Sequence, residues 1–244
     1  MPRILTYNVH NCVGTDRRLD IGRVVAVIAQ LKPDIVALQE VDVGRARSGG
    51  VDQAYEIARR LDMACHFNAA LRVEEEQYGD AILTSLPERL IKAGPLPGLT
   101  PTLGLEPRGA LWVAVTLEGL ELQVINTHLG LAPREQQKQA AALAGSEWLR
   151  RPDFAAPAIL LGDLNAGLAS GVYRTLTARL KDARGLAPVR RKTATFPSRL
   201  PLLRIDHILV SGGVKVTSME APLTAMTRLA SDHLPLVMDF TLAR

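Results

Sequence analysis

Several apolar stretches of this chain run straight into an acid, an amide or an imidazole. AILLGDLNA, residues 158–166, passes from branched apolar residues to Asp163 and Asn165; RILTYN ends on Asn8, DIVALQE on Glu40 and LQVINTH on His128. Two other stretches do the reverse. RIDHILV opens its apolar run from Asp206 and His207, and SDHLPLVMDF opens from Asp232 and His233. A single Asp or Asn after a strand is an ordinary turn or cap residue, and a single histidine is usually structural. Six such ends in one chain ask for more, because carboxylates that converge repel each other unless a cation or a proton offsets them. Glu40, Asp163, Asp206 and Asp232 are hard oxygen donors with no cysteine among them. That set favours Mg2+ or Mn2+ over structural zinc, and so metal-assisted chemistry.

For these side chains to meet, the four strands that end on them must run one way and the two that start from them the other. Mixed sheets with a common rim do this. The strand-length runs RILTYN, DIVALQE, DAILTS, ALWVAVTL, LQVINTH, AILLGDLN, RIDHILV and HLPLVMDF are rich in Val, Ile and Leu, as strands covered on at least one face are. Helical spacing is clear at 20–31, where Ile21, Val24, Ile28 and Leu31 share a face and Pro33 stops the run. Residues 51–62 and 133–149 read the same way, the latter opened by Pro133 and closed near Trp148. Irregular stretches fall near 41–50, 94–107 and 184–203. No repeat or linker divides the chain, so an α/β layered sandwich over 1–244 as one domain is predicted.

Composition sets the remaining bounds. The chain has 244 residues, 47% hydrophobic and 22% charged, which excludes extensive disorder. MPRILTYNVH enters a strand-like run with no charged-then-apolar leader, and no apolar stretch is long enough to span a bilayer. A cytoplasmic location is therefore expected. Cys12 and Cys65 lack metal-ligand spacing and read as free thiols. The net charge of +4 suits an anionic ligand without the dense basic patches of dedicated nucleic-acid binders, and 4% aromatics leave little for base stacking.

At these residues the sequence resembles the endonuclease/exonuclease/phosphatase superfamily, the deoxyribonuclease I-like phosphohydrolases. TYNVH, LQEVD, YGDAILTS, NTHLG, GDLNA, RIDHILV and SDHLPL occur in the family's order across nearly the whole chain. The resemblance implies a four-layered α/β sandwich of two mixed β-sheets flanked by helices, with a metal site on the rim. It implies Glu40 as the principal Mg2+ ligand with Asn8 beside it, and Asp232 in or next to the ligand set. Asp163 would orient or deprotonate the attacking water, and Asn165 would hold a phosphate oxygen. His233 would donate to the developing phosphorane charge, with Asp206 orienting a nearby histidine, and His128 would contact the phosphate or assist the leaving oxygen. Displacement at phosphorus calls for these types: a cation for the nonbridging oxygens, a positioned water, and donors aimed at growing charge.

Departures from the family pattern narrow the reading. Some relatives carry an acid where this chain has His10, which argues against a second metal, and NTHLG differs from the proline-containing segment of abasic-site exonucleases. Asp80 stands where relatives often have Asn; Tyr78 is the better candidate of the two to face the site. TFPSRLPLLRID, residues 195–206, resembles a segment of small bacterial members and would shape the pocket. Arg45, Arg47, Arg190, Arg191, Lys192, Arg199 and Arg204 lie near the motifs, as site cations or as solvated loop charges. The expected activity is Mg2+- or Mn2+-dependent hydrolysis of a phosphodiester by direct attack of water, the substrate open between nucleic acid and a small or phospholipid diester. The rival expectation is a catalytically silent phosphate- or nucleic-acid-binding module on the same fold.

Overall fold

A computed structural model describes residues 1–99, 105–152, 154 and 157–243; part of the irregular stretch expected at 94–107 lies outside them. In chain order the elements are β1 (Arg3–Asn8), α1 (Ile21–Leu31), β2 (Ile35–Val43), α2 (Gln53–Leu61), β3 (Ala64–Val73), β4 (Glu76–Thr84), β5 (Glu88–Pro95), β6 (Gly109–Leu117) and β7 (Leu120–His128). There follow α3 (Pro133–Leu143), β8 (Ala158–Asp163), α4 (Gly171–Thr177), β9 (Lys181–Asp182), α5 (Ala183–Leu186), β10 (Asp206–Val210), β11 (Val214–Glu220), α6 (Ala225–Ala230) and β12 (Leu236–Leu242).

The strands form two six-stranded sheets, ordered β11-β12-β1-β2-β4-β3 and β5-β6-β7-β8-β10-β9. Each has one parallel pair near its centre, β1 with β2 and β7 with β8, so both sheets are mixed. Alternation along the strands sorts the apolar side chains into layers. Ile4, Ile35, Ala37, Ile159, Leu161 and Ile208 fill the space between the sheets. Their neighbours Leu5, Tyr7, Val36 and Leu38 point the other way, onto Val24, Val27 and Ile28 of α1 and Ile57 of α2. On the far side Trp112, Ile125 and Leu160 pack on Leu143 of α3 and Val172 and Leu176 of α4. The result is the four-layered sandwich, helix, sheet, sheet, helix. The Asp20 and Asp52 carboxylates accept from the backbone N–H groups of Arg23 and Tyr55, starting α1 and α2 where the apolar spacing begins.

Some boundaries differ from the sequence reading. The helix expected over 133–149 stops at Leu143; turns through Gly145 follow, and they carry Trp148 into the outer core. β2 runs past Glu40 to Val43, so Glu40 is not a strand end. β12 begins at Leu236, which leaves Asp232 and His233 in the connection after α6. No helix of the described residues is long and apolar enough to cross a membrane.

Candidate active site

The parallel pairs bring the polar ends to one rim. Asn8 lies beside Gln39 in the β1–β2 register, and His128 beside Asp163 in β7–β8; β10 enters antiparallel, so Asp206 stands opposite Asp163. Glu40 reaches the rim by a bulge. Between Leu38 and Val41, two residues of β2 oppose the single Asp80 of β4, and Glu40 takes φ 59°. An extra residue in a strand re-aims the side chains around it. Gln39 turns inward to donate to Asn126 of the facing sheet at 2.7 Å, while Glu40 meets Asn8 at the rim. Gly162 performs a similar task in β8. It has φ 138°, and a Cβ there would lie 1.9 Å from Thr127 O, so only glycine lets β8 close on β7 with Asp163 in place.

The SDH segment is held by its own serine. Ser231 Oγ donates to Asn8 O at 2.8 Å and accepts from His233 N–H at 3.2 Å, which fastens the connection to the end of β1. The His233 ring then falls against Asp206, Nδ1 to Oδ2 at 2.8 Å, and Thr195 Oγ1 donates to the same carboxylate oxygen. Phe196 packs on the ring, centroids 4.9 Å apart. Burial opposes charge on His233, but Asp206, aided by Asp163 and Asp232, outweighs it and lifts the imidazolium to about 10.

Asp163 is buried and central. Its Oδ1 accepts from Asn165 N–H at 2.8 Å and its Oδ2 from Asn8 Nδ2 at 3.0 Å, while the Nε2 atoms of His128 and His233 each lie 3.7 Å from Oδ2. Burial, with Asp206 opposite, raises Asp163 to about 7 against the pull of His233, Asn8 and Asn165. Asn8 Nδ2 also donates to Glu40 Oε1 at 2.9 Å. Burial raises Glu40 above its ordinary range, and Asp232 adds to the effect.

His128 is fixed from behind by Arg108, whose Nη1 lies 3.0 Å from Nδ1. A guanidinium only donates, so Nδ1 accepts and the ring proton sits on Nε2. Burial and that guanidinium hold His128 well below its ordinary range, so the ring is neutral. Its Nε2 is 3.0 Å from Asn165 Nδ2. The Asn165 amide also donates to Leu129 O at 3.0 Å, and with the proton on Nε2 the two N–H groups repel at this distance until a shared anionic acceptor takes both.

A cleft of about 390 Å³ opens over these groups, lined by Glu40, Tyr78, His128, Asp163, Asn165, Asp232 and His233 among others. Asn8 and Asp206 are buried behind the lining and bonded to it. Asn8, Glu40, Tyr78, His128, Asp163, Asn165, Asp206, Asp232 and His233 therefore meet in one place, and Asp206 pairs with His233 rather than with its neighbour His207. That ring turns away, its Nε2 donating to Ala166 O at 2.8 Å. Tyr78 lines the cleft, whereas Asp80 is buried beneath, opposite the Glu40 bulge, and burial lifts its carboxyl to about 8. Arg47 stacks over Tyr78 at 5.4 Å and pairs with Asp42. Arg204 is tied to Asp182 and Arg191 to Glu220; neither they nor Arg45, Arg190, Lys192 and Arg199 line the cleft.

Arg108 escaped the sequence reading. Its signal was a cation immediately before the apolar run GALWVAVTL, the reverse pattern already seen at Asp206. Gln39, Asn126 and Thr6 were missed as well; they form a hydrogen-bonded polar floor between the sheets under the site.

A metal could find ligands here. Asp163, Asp206 and His233 offer atoms within 4.8 Å of one another, and Glu40, Asn8 and Asp232 add oxygen donors at the same rim.

Two six-stranded mixed sheets between helices, with acids, amides and imidazoles gathered where the parallel strands end, agree with the sequence-wide match to a family model. The chain belongs to the Endonuclease/Exonuclease/phosphatase family, whose model it matches over residues 5–233, and members of that family are hydrolases. The protein YbhP of Escherichia coli K12 is 28% identical over 257 residues, which cover 98% of this chain and 96% of YbhP. The endonuclease/exonuclease/phosphatase from Bacteroides vulgatus has the same fold, with a TM-score of 0.79 at 22% identity over 99% of each chain. So does the mannosyl-6-phosphatase Bt3783 of Bacteroides thetaiotaomicron VPI-5482, with a TM-score of 0.78 at 18% identity, covering 99% of this chain and all of that one.

Proposed function

We propose that this chain is a divalent-metal-dependent phosphodiesterase that breaks its substrate by direct attack of water. One observation carries the reading: the Asp163 carboxylate lies 3.7 Å from the Nε2 atoms of two histidines whose surroundings hold one neutral and the other cationic. An acceptor of protons and donors to anionic oxygen so share one small space, which hydrolysis at phosphorus needs and a passive binding module does not.

The residues fit a hard divalent cation. A single amide, Asn8 Nδ2, serves two carboxylates, and Glu40 is raised by burial, so this corner carries more negative charge than its own donors offset. Glu40, Asn8 and Asp232 would hold the ion through oxygen atoms, which suits Mg2+ or Mn2+. Bound there, it would neutralise nonbridging phosphate oxygens. His233 stands outside the ligand set, because Nδ1 is committed to Asp206 and the ring is held as a cation.

The chain's own groups do the rest. Asp163, at about 7, is matched to taking a proton from water near neutral pH. Asn165 Nδ2 and His128 Nε2 donate together to a phosphate oxygen, with Arg108 keeping the His128 proton on the side of the cleft. His233 Nε2–H donates to the charge that builds on the phosphoryl oxygens. Asp206 and Thr195 position that ring, and Tyr78, its hydroxyl kept protonated by burial, lines the cleft.

Turnover of bis(4-nitrophenyl) phosphate and of 4-nitrophenyl phosphate with Mg2+ or Mn2+ tests the proposal. The expected result is diester hydrolysis, faster than that of the monoester and abolished by EDTA. Preference for the monoester, or turnover of neither, contradicts it.

A further inference from the structure

We infer that the cleft works at the surface of an anionic phospholipid bilayer, with a leucine-tipped hairpin beside it seated among the lipids. This deepens the phosphodiesterase reading and rests on it for the identity of the substrate. The hairpin spans residues 196–203. Phe196 and Leu203 pair as an antiparallel bridge, and the N–H groups of Leu200 and Leu202 donate to Pro197 O and Phe196 O. Its backbone is tied down, yet the turn presents Leu200 at 64% exposure and Leu202 at 71%. The base of this hairpin belongs to the site, for Phe196 and Ile205 line the cleft. Leu131, 71% exposed, lines the same cleft from the connection after β7. Scattered exposed leucines are ordinary, but two on one turn whose base lines a polar cleft, with a third on the cleft wall itself, point to an apolar phase.

Charge decides which phase. A groove sharing His10 and Asp232 with the cleft is lined by Arg17, Pro197, Ser198 and Arg199. Arg228 of α6 donates to Arg199 O, and Arg199 to Thr15 O, so two arginines are knitted to the hairpin while Arg17 lines the groove beside it. Among the described residues none of the three has an acidic partner in an ion pair. Exposed leucines on a turn that is bonded to unpaired arginines at its base match the needs of an anionic membrane, acyl chains beyond a sheet of phosphates. With the turn seated, headgroups come to the cleft, and the bond that joins a headgroup to glycerol is a phosphodiester.

The test is co-sedimentation with vesicles of phosphatidylcholine alone, or with about 30% phosphatidylglycerol to set a negative surface potential, at low and high salt. Wild type and the double variant Leu200→Ser/Leu202→Ser are compared, with bis(4-nitrophenyl) phosphate turnover measured on the same samples. The expected result is binding to the anionic vesicles that salt weakens and that the double variant loses by about 100-fold, roughly tenfold per leucine, with diester turnover unchanged. Equal binding by both proteins, or none by wild type, overturns the membrane assignment while leaving the hydrolysis reading intact. Vesicle binding as expected without any diester turnover supports the docking surface and removes its substrate. A shift from dimer to monomer in the double variant on size exclusion, with no change at vesicles, assigns the leucines to a second copy of the chain and overturns the proposal.

Discussion

Asp163 and Asp206 face each other across the antiparallel ladder of β8 and β10, and His233 reaches both, 2.8 Å from one carboxylate and 3.7 Å from the other. Two buried acids so placed repel, and the imidazolium offsets them. His233→Gln keeps an amide donor but removes the charge. It should lower kcat by about 10^2 to 10^3, the cost of losing a donor to transition-state charge, and also lower the urea midpoint, because breaking one side of a buried charged contact leaves the others uncompensated. Turnover assays and urea titrations read the two effects separately; an unchanged kcat would remove His233 from the chemistry.

Asp163→Asn is nearly isosteric and can still accept from Asn165 N–H. It should leave KM and far-UV circular dichroism near wild type while lowering kcat by about 10^2 to 10^4, the usual worth of a positioned base. Wild-type turnover at saturating metal would mean that Asp163 does not handle the attacking water.

Arg108 makes a prediction that charge alone does not. Arg108→Lys keeps a cation but loses the planar donor that meets His128 Nδ1 at 3.0 Å. If its task is to hold the His128 proton on Nε2, kcat should fall by about tenfold or more in Arg108→Lys, close to the loss in Arg108→Met, by analogy with other tautomer-setting contacts. Nitrogen-15 shifts of the imidazole would show the proton moving between ring nitrogens. Full activity in the lysine variant would leave Arg108 a simple cation.

His207 should take stability away toward acid pH, against the opposite contribution of Asp163 and Asp80, whose carboxyls burial raises in the fold. Burial pushes this ring down to about 4, against about 6.5 in an unfolded chain. Between those values the unfolded chain binds a proton that the folded one refuses, so the contribution is complete above about 6.5 and is lost as pH drops toward 4. The full span corresponds to about 3 kcal/mol at about 1.4 kcal/mol per unit. His207→Gln can still donate to Ala166 O, so the difference between its urea midpoint and that of wild type should shift in the variant's favour between pH 7 and 5; His128, Asp163 and Asp80 contribute to both proteins alike. Parallel midpoints across that interval would contradict this.

How much could be read from the residues follows physical lines. The strands found from sequence are those covered on both faces, where Val, Ile and Leu run together. β3, β5, β9 and β11 went unseen, and each is an edge of its sheet. Edge strands are half exposed and carry residues such as Arg72, Glu88, Lys181 and Lys215, which blunt further pairing and erase the apolar signal. The site was legible because parallel pairs must end at a common rim, so a polar residue closing several apolar runs is a spatial statement. Glu40 shows the limit. Its place depends on one extra residue in β2, and a bulge leaves no mark in LQEVD. Arg108 lay hidden for another reason, since cations next to strands are usually solvated and only its burial against His128 sets it apart.

The central claim is metal-dependent phosphodiester hydrolysis with Glu40 as the principal ligand. Its most direct test is the rate of bis(4-nitrophenyl) phosphate hydrolysis as a function of Mg2+ concentration, for wild type and Glu40→Gln. Wild type should saturate with Mg2+ and fall to background in EDTA. The variant, which keeps the shape but not the charge, should need at least about tenfold more Mg2+ for half-maximal rate, in line with the 10^2 or so commonly lost when a metal site is weakened. Superimposable Mg2+ curves for the two proteins, or turnover that persists in EDTA, would contradict the account.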